Sequence, residues 1–264
     1  MQSSAQTAPI SKKTHWAGII ISALPALFLL FDGVMKLAKP PFVVGSTVEL
    51  GYPESVIIPL GIVLTACTIV YVIPRTAVLG AILLTGYLGG AVATHVRAGG
   101  SLFKILFPVV IGALAWGGLS LRDERLRERL QSGARAAVSK KALWAGISIS
   151  ALPSLMLLFG GVMTLKKPAP VVTEITRLGY PESVILGLGI LELACTVVYI
   201  IPRVSVLGAI LLTGYFGGAV ATHVRIGDPT FNIIMPILFG ALAWGGLYLR
   251  DVRLRALIPL RKEK

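Results

Sequence analysis

One carboxylate lies in a run that is otherwise apolar. Glu192 sits in Gly189-Ile190-Leu191-Glu192-Leu193-Ala194-Cys195. If that run crosses a bilayer, a charged acid there costs on the order of 2.5–3.5 kcal/mol. The side chain is therefore expected to face other protein and to carry its proton, and a protonated acid in such a place can exchange a proton with a ligand. Depth points to a partner. At ~1.5 Å per residue, Glu192 is roughly 14 Å from the start of its run at Ser183, and Tyr215 is roughly 12 Å from the matching end of the next run at His223. A Glu192–Tyr215 hydrogen bond beside an outward-facing polar cavity is expected. The competing arrangement bonds the acid to a backbone carbonyl or to Thr196.

Asp32 and Lys36 are four residues apart, so they share a helix face and can pair. His95 and His223 each end an apolar run, with Thr94 and Arg97, and Thr222 and Arg225, beside them. Three uses stay open for these two clusters: paired ligation of haem, hydrogen bonds to a quinone carbonyl helped by the threonines, or a cap at a helix C-terminus, where a cation suits the dipole. Cys67 and Cys195 belong to no metal-binding or redox spacing and read as small apolar residues. No metal cluster, nucleotide loop or nucleophile triad is evident, so autonomous catalysis is not expected.

The elements that position these residues come twice. Trp16-Ala17-Gly18-Ile19 recurs as Trp144-Ala145-Gly146-Ile147, and Gly51-Tyr52-Pro53-Glu54-Ser55-Val56-Ile57 as Gly179-Tyr180-Pro181-Glu182-Ser183-Val184-Ile185. Gly80 to Tyr87 recurs at Gly208 to Tyr215, and Gly89 to Arg97 at Gly217 to Arg225, all without a gap. This is a tandem duplication of one folded unit. Tyr87 is the first-copy counterpart of Tyr215, Leu64 stands where Glu192 does, and Gly160 and Thr164 replace Asp32 and Lys36. Joint loss of Asp32 and Lys36 is what a paired charge predicts. With one copy keeping an acid on its first span and the other on its second, two readings stay open: the halves divide a task, or Asp32 and Lys36 form an interfacial salt bridge that only fixes helix depth.

The chain is 55% hydrophobic and only 14% charged, with mean hydropathy +0.82. Apolar runs long enough for ~30 Å of hydrocarbon occur at about 15–37, 55–73, 76–96 and 102–121, and again at 143–165, 183–201, 204–224 and 230–249. The fold class is all-α: a polytopic membrane protein of eight spans in two tandem four-helix bundles. Its expected division is a disordered tail 1–14, a first unit 15–121, a basic linker 122–142, a second unit 143–249 and a basic tail 250–264. Lys12-Lys13 precedes a run too long for a signal peptide, so the first span is retained. Proline ends the second span at Pro74-Arg75 and Pro202-Arg203. The partly apolar segments 40–53 and 168–181 predict short helices at the interface.

Net charge is +13, but the cations fall between spans rather than on an aromatic-interleaved patch, so nucleic acid is not a partner. Of the 25 Lys and Arg residues, 17 fall on the side of the termini and linker. That side is predicted to be cytoplasmic, the other side outer, in an inner membrane. Four spans per unit is an even number, so the repeat is parallel. Gly86 and Gly90, with Gly214 and Gly218, and the Ala113/Gly117 and Ala241/Gly245 pairs, predict close helix contacts.

The late Phe-x-Gly-Val of the first span, the proline-arginine turn and Gly-Ala-Ile-Leu-Leu-Thr-Gly-Tyr-x-Gly-Gly-Ala-Val-Ala-Thr-His-Val-Arg resemble the DoxX-like family of small four-span bacterial membrane proteins. The resemblance covers both copies. It implies a redox-associated membrane subunit, with quinone as the cofactor and a soluble redox enzyme as partner at the cytoplasmic face. Two alternatives stay open: a carrier of protons or small solutes that uses Glu192, and a scaffold that recruits soluble enzymes through the linker and tail. A homo-oligomer is compatible with each.

Overall fold

The computed structural model describes residues 11–123, 126, 138–251 and 254. Among them the chain is helical throughout. Helices α1 (Lys12–Ala38), α2 (Pro41–Glu49), α3 (Ile57–Val72), α4 (Ala77–Arg97) and α5 (Leu102–Arg122) form the first unit. Helices α6 (Lys140–Lys166), α7 (Ala169–Arg177), α8 (Ile185–Ile200), α9 (Ser205–Ile226) and α10 (Thr230–Arg250) form the second. Eight helices are long and apolar enough to span a bilayer, α3 and α8 counted with the single turns Glu54–Val56 and Glu182–Val184 that precede them.

Local chemistry sets the boundaries. Ser11 Oγ accepts the Thr14 N–H at 3.2 Å, and Ser139 Oγ accepts the Ala142 N–H at 3.3 Å. These are N-caps, so α1 starts inside the segment expected to be tail and α6 inside the expected linker. Lys39 and Lys167 end α1 and α6 in the left-handed conformation (φ 50° and 49°), and Pro40 and Pro168 prevent continuation. The short α2 and α7 follow, at the expected interfacial segments. Most of the linker, the far N-terminus and the C-terminal tail lie outside the described residues. The docking expectation placed on them is not addressed.

Each unit is a ring of four: α1 against α3 and α5, α4 against the same two, with α6, α8, α9 and α10 arranged alike. Tyr71 and Tyr199 mark the ring interiors; their hydroxyls donate to the Ala115 and Ala243 carbonyls at 2.8 Å. Large apolar side chains such as Trp16, Leu27, Phe31, Leu155 and Phe159 remain exposed along the outward faces, as lipid contact requires.

The units meet along α4 and α9. A Cβ added at Gly89 would collide with the Gly214 carbonyl, and one at Gly217 with the Gly86 carbonyl. Gly90 faces Ala221 and Gly218 faces Ala93, each at 3.0 Å from an added Cβ. Each contact is mirrored by its repeat equivalent, and the set Gly86, Gly89 against Gly217, Gly214 is followed by Gly90, Ala93 against Ala221, Gly218, so both helices advance in the same direction. The repeat is therefore parallel, about a pseudo-two-fold axis that runs with the spans. The tightest contacts join Gly86 to Gly217 and Gly89 to Gly214, a three-residue spacing. Of the expected four-residue pairs, Gly86 and Gly214 join the tightest contacts and Gly90 and Gly218 the flanking ones.

Candidate functional site

Glu192 is on α8 and only 8% exposed, so the acid faces protein and not acyl chains. Its carboxyl is within hydrogen-bonding reach of the Tyr215 hydroxyl on α9. On the other side it packs against α6: a Cβ added at Gly160 would be 2.9 Å from Glu192 Oε1. Thr196 donates to the Glu192 backbone carbonyl at 2.7 Å, so its hydroxyl is spent on the helix and does not hold the carboxyl. Among the described residues no Lys or Arg forms an ion pair with Glu192.

Gly160 is the repeat equivalent of Asp32, which gives this packing a meaning. The carboxyl that α8 contributes lies beside the very backbone position from which α1 projects Asp32 in the first unit. Asp32 in turn lies within electrostatic reach of Tyr87, the equivalent of Tyr215. Each unit thus has one carboxyl whose field reaches one tyrosine, the first from α1 and the second from α8. The two sites differ in compensation. Asp32 Oδ1 accepts from Lys36 Nζ at 2.5 Å, whereas Thr164 replaces that lysine in the second unit.

At the C-terminal ends of α4 and α9, Thr94 Oγ1 donates to the Gly90 carbonyl at 2.8 Å, and Thr222 Oγ1 to the Gly218 carbonyl at 2.8 Å. A hydroxyl has one proton, so the bonds to Tyr52 (2.8 Å) and Tyr180 (2.9 Å) use the tyrosine proton. Sequence reasoning missed both tyrosines, since an aromatic at a span end reads as a headgroup anchor. They are 7% and 8% exposed, and burial pushes their hydroxyls above the usual tyrosine range. His223 Nδ1 meets Asp228 Oδ2 at 2.6 Å. Asp228 also accepts from Arg177 at 3.1 Å and from Asn232 at 3.3 Å. Hydrogen bonds from Arg177, then His223, hold its carboxyl well below the usual carboxylate range. Gly100 replaces Asp228 in the first unit, and among the described residues the His95 ring makes no hydrogen bond.

A groove of about 1040 Å³ runs between the units, walled by α4 and α5 on one side and α8 and α9 on the other. It reaches from Tyr180 and His223, beside the C-terminal end of α9, to Arg203 and Val204, beside its N-terminal end. Glu192, Tyr215, Thr222 and His223 all line it. Asp32, Lys36, Tyr87, Thr94, His95, Thr196, Arg97 and Arg225 do not. The wall is apolar over most of its area, with its polar groups few and separated, which corrects the expected polar cavity. Among the described residues no three His, Cys, Asp or Glu gather as metal ligands.

The model of the DoxX-like family matches residues 20–118 and again 148–246. The chain belongs to the DoxX-like family. The two matches coincide with the two helical rings, so this is an integral membrane protein made of two DoxX-like units in one polypeptide. No curated protein and no solved structure matches the chain.

Proposed function

We propose that this DoxX-like protein is a quinone-linked membrane subunit of the cell (inner) membrane, with its termini at the cytoplasmic face, and that the inter-unit groove takes the quinone. The observation that carries the reading is the single uncompensated carboxyl, Glu192, exposed to an apolar groove of about 1040 Å³. Sites for small lipophilic molecules are apolar and roughly 300–1000 Å³, with a few placed polar groups. When bound, a quinone supplies a two-electron, two-proton couple, and the electrons would come from a soluble enzyme at the cytoplasmic face. Glu192 would hold the quinone by a hydrogen bond to a ring oxygen and would carry one of the two protons, the other coming from water. Tyr215 orients the carboxyl, and the apolar wall excludes water. His223, fixed by Asp228, bounds the outer end.

Trp116 lines the same groove and reports occupancy. In nanodiscs, a short-chain quinone is expected to quench its fluorescence saturably, and Trp116→Phe to remove that signal. Glu192→Leu should weaken binding by about 3- to 10-fold, the worth of one hydrogen bond. Quenching that never saturates, or is unchanged in Glu192→Leu, refutes the reading. The carrier alternative rests on the same acid and would show instead as pH-dependent solute uptake into liposomes.

A further inference from the structure

Two arginines meet where the pseudo-two-fold axis leaves the outer surface. A Cβ on Gly51 would lie 3.6 Å from Arg97 Nη2 and 3.7 Å from Arg225 Nη1. One on Gly179 would lie 2.9 Å from Arg225 Nη2 and 3.4 Å from Arg97 Cδ. Each arginine therefore reaches the glycine of its own unit and of the other, so the two side chains lie together over the axis. Gly51 and Gly179 have φ of 81° and 82°, a conformation that strains any residue with a side chain. The turn thus leaves backbone, and no side chain, beneath the guanidinium groups.

The donors are underused. Arg97 donates Nη2 to the Leu50 carbonyl, and Arg225 donates Nη2 to the Leu178 carbonyl at 2.6 Å. A guanidinium has five N–H donors. Arg225 Nε is buried with no hydrogen-bond partner. Among the described residues neither arginine forms a salt bridge, and the titratable groups that act on Arg225 are Arg97 and the neutral hydroxyls of Tyr52 and Tyr180. Both arginines are partly exposed, so a solute can reach them. Two adjacent cations repel, and an anion between them reverses the sign. Planar forks with free donors suit a tetrahedral oxyanion. Every member is duplicated, so the site exists only when both units are packed.

We propose that Arg97 and Arg225 together bind one phosphate-type oxyanion on the pseudo-two-fold axis, as a free ion or as the headgroup of an anionic lipid. This site is separate from the groove reading and does not depend on it. For a lipid source the groove offers an apolar path beside the headgroup, since Leu178 and Tyr180 also line its mouth.

The test uses the full-length protein in phosphatidylcholine nanodiscs. Phenylglyoxal labelling of arginines, read by peptide mass, is run with inorganic phosphate added, and with phosphatidylglycerol in place of part of the phosphatidylcholine. Selective protection of Arg97 and Arg225 by phosphate supports a free ion; protection only by phosphatidylglycerol supports the headgroup. Equal labelling under all conditions overturns the proposal. As a second arm, native mass spectrometry should show about tenfold weaker retention of the protecting anion in R97Q/R225Q. Full retention by a folded R97Q/R225Q protein overturns it too. Should that variant not fold, the labelling of the wild-type chain decides alone.

Discussion

The two acids that share one place can be exchanged. Glu192→Leu copies Leu64 of the first unit, and Gly160→Asp copies Asp32. The structure sets the expected sizes. A Cβ at residue 160 would be 2.9 Å from Glu192 Oε1, so the flexible end of the Glu192 side chain has to move aside. Gly160→Asp alone therefore puts a second carboxyl against the first inside the bundle. Overpacking costs about 1–3 kcal/mol, and one acid must stay neutral besides. Glu192→Leu alone removes a buried acid but leaves the Tyr215 hydroxyl without its partner, a cost of about 1–3 kcal/mol. In the double variant the new aspartate has the vacated space and the same tyrosine. The double variant should thus be more stable than the sum of the two singles implies, with a favourable coupling of about 1–3 kcal/mol. Reversible unfolding of the four proteins in mixed micelles measures it. Effects that add within about 0.5 kcal/mol would show that residues 160 and 192 do not share a site, and would refute the reasoning.

Alanine at Gly217, whose Cβ would strike the Gly86 carbonyl, should loosen the contact between units and lower the unfolding midpoint. Alanine at Gly245, beside which nothing lies within 4 Å, should leave the midpoint unchanged. Tyr180→Phe removes the proton given to Thr222 while Thr222 keeps its bond to Gly218, so the loss in unfolding free energy should be about 1 kcal/mol. Asp228 has its folded pKa held down, chiefly by Arg177. Its contribution to stability is full above the unfolded value of roughly 3.9 and falls away as pH drops below that. Melting curves taken down through that range should fall more steeply for the wild type than for Asp228→Asn, and equal slopes would contradict the assignment.

The spans, the duplication and the parallel repeat were legible because membrane helices must be long, apolar and internally bonded. The short helices α2 and α7 were legible from Pro40 and Pro168 and the apolar residues that follow. Glu192 stood out because an acid is costly at that depth. Its relation to Asp32 was not legible. It depends on the absence of a side chain at Gly160, and an empty space leaves no pattern in a sequence. The apparent division of labour is, in space, one carboxyl delivered from two different helices. The third-span glycines Gly86, Gly90, Gly214 and Gly218 do lie in the contact, but their partners Gly89 and Gly217 were not legible, since which residues touch depends on the crossing point of α4 and α9, and Gly117 and Gly245 of the fourth spans have nothing beside them among the described residues. The arginine pair was also out of reach: Arg97 and Arg225 are far apart in the chain and meet only when the two units pack. Tyr52 and Tyr180 looked like surface anchors because their threonine partners sit on another helix.

The central claim is that a neutral carboxyl at Glu192 faces the inter-unit groove, while its counterpart Asp32 is tied up by Lys36. Dicyclohexylcarbodiimide, which enters lipid and modifies protonated carboxyls in apolar surroundings, tests this in native membranes, with peptide mass spectrometry as the readout. The account predicts modification at Glu192, reduced by a quinone analogue, and little at Asp32. Modification of Asp32 with Glu192 untouched would contradict it.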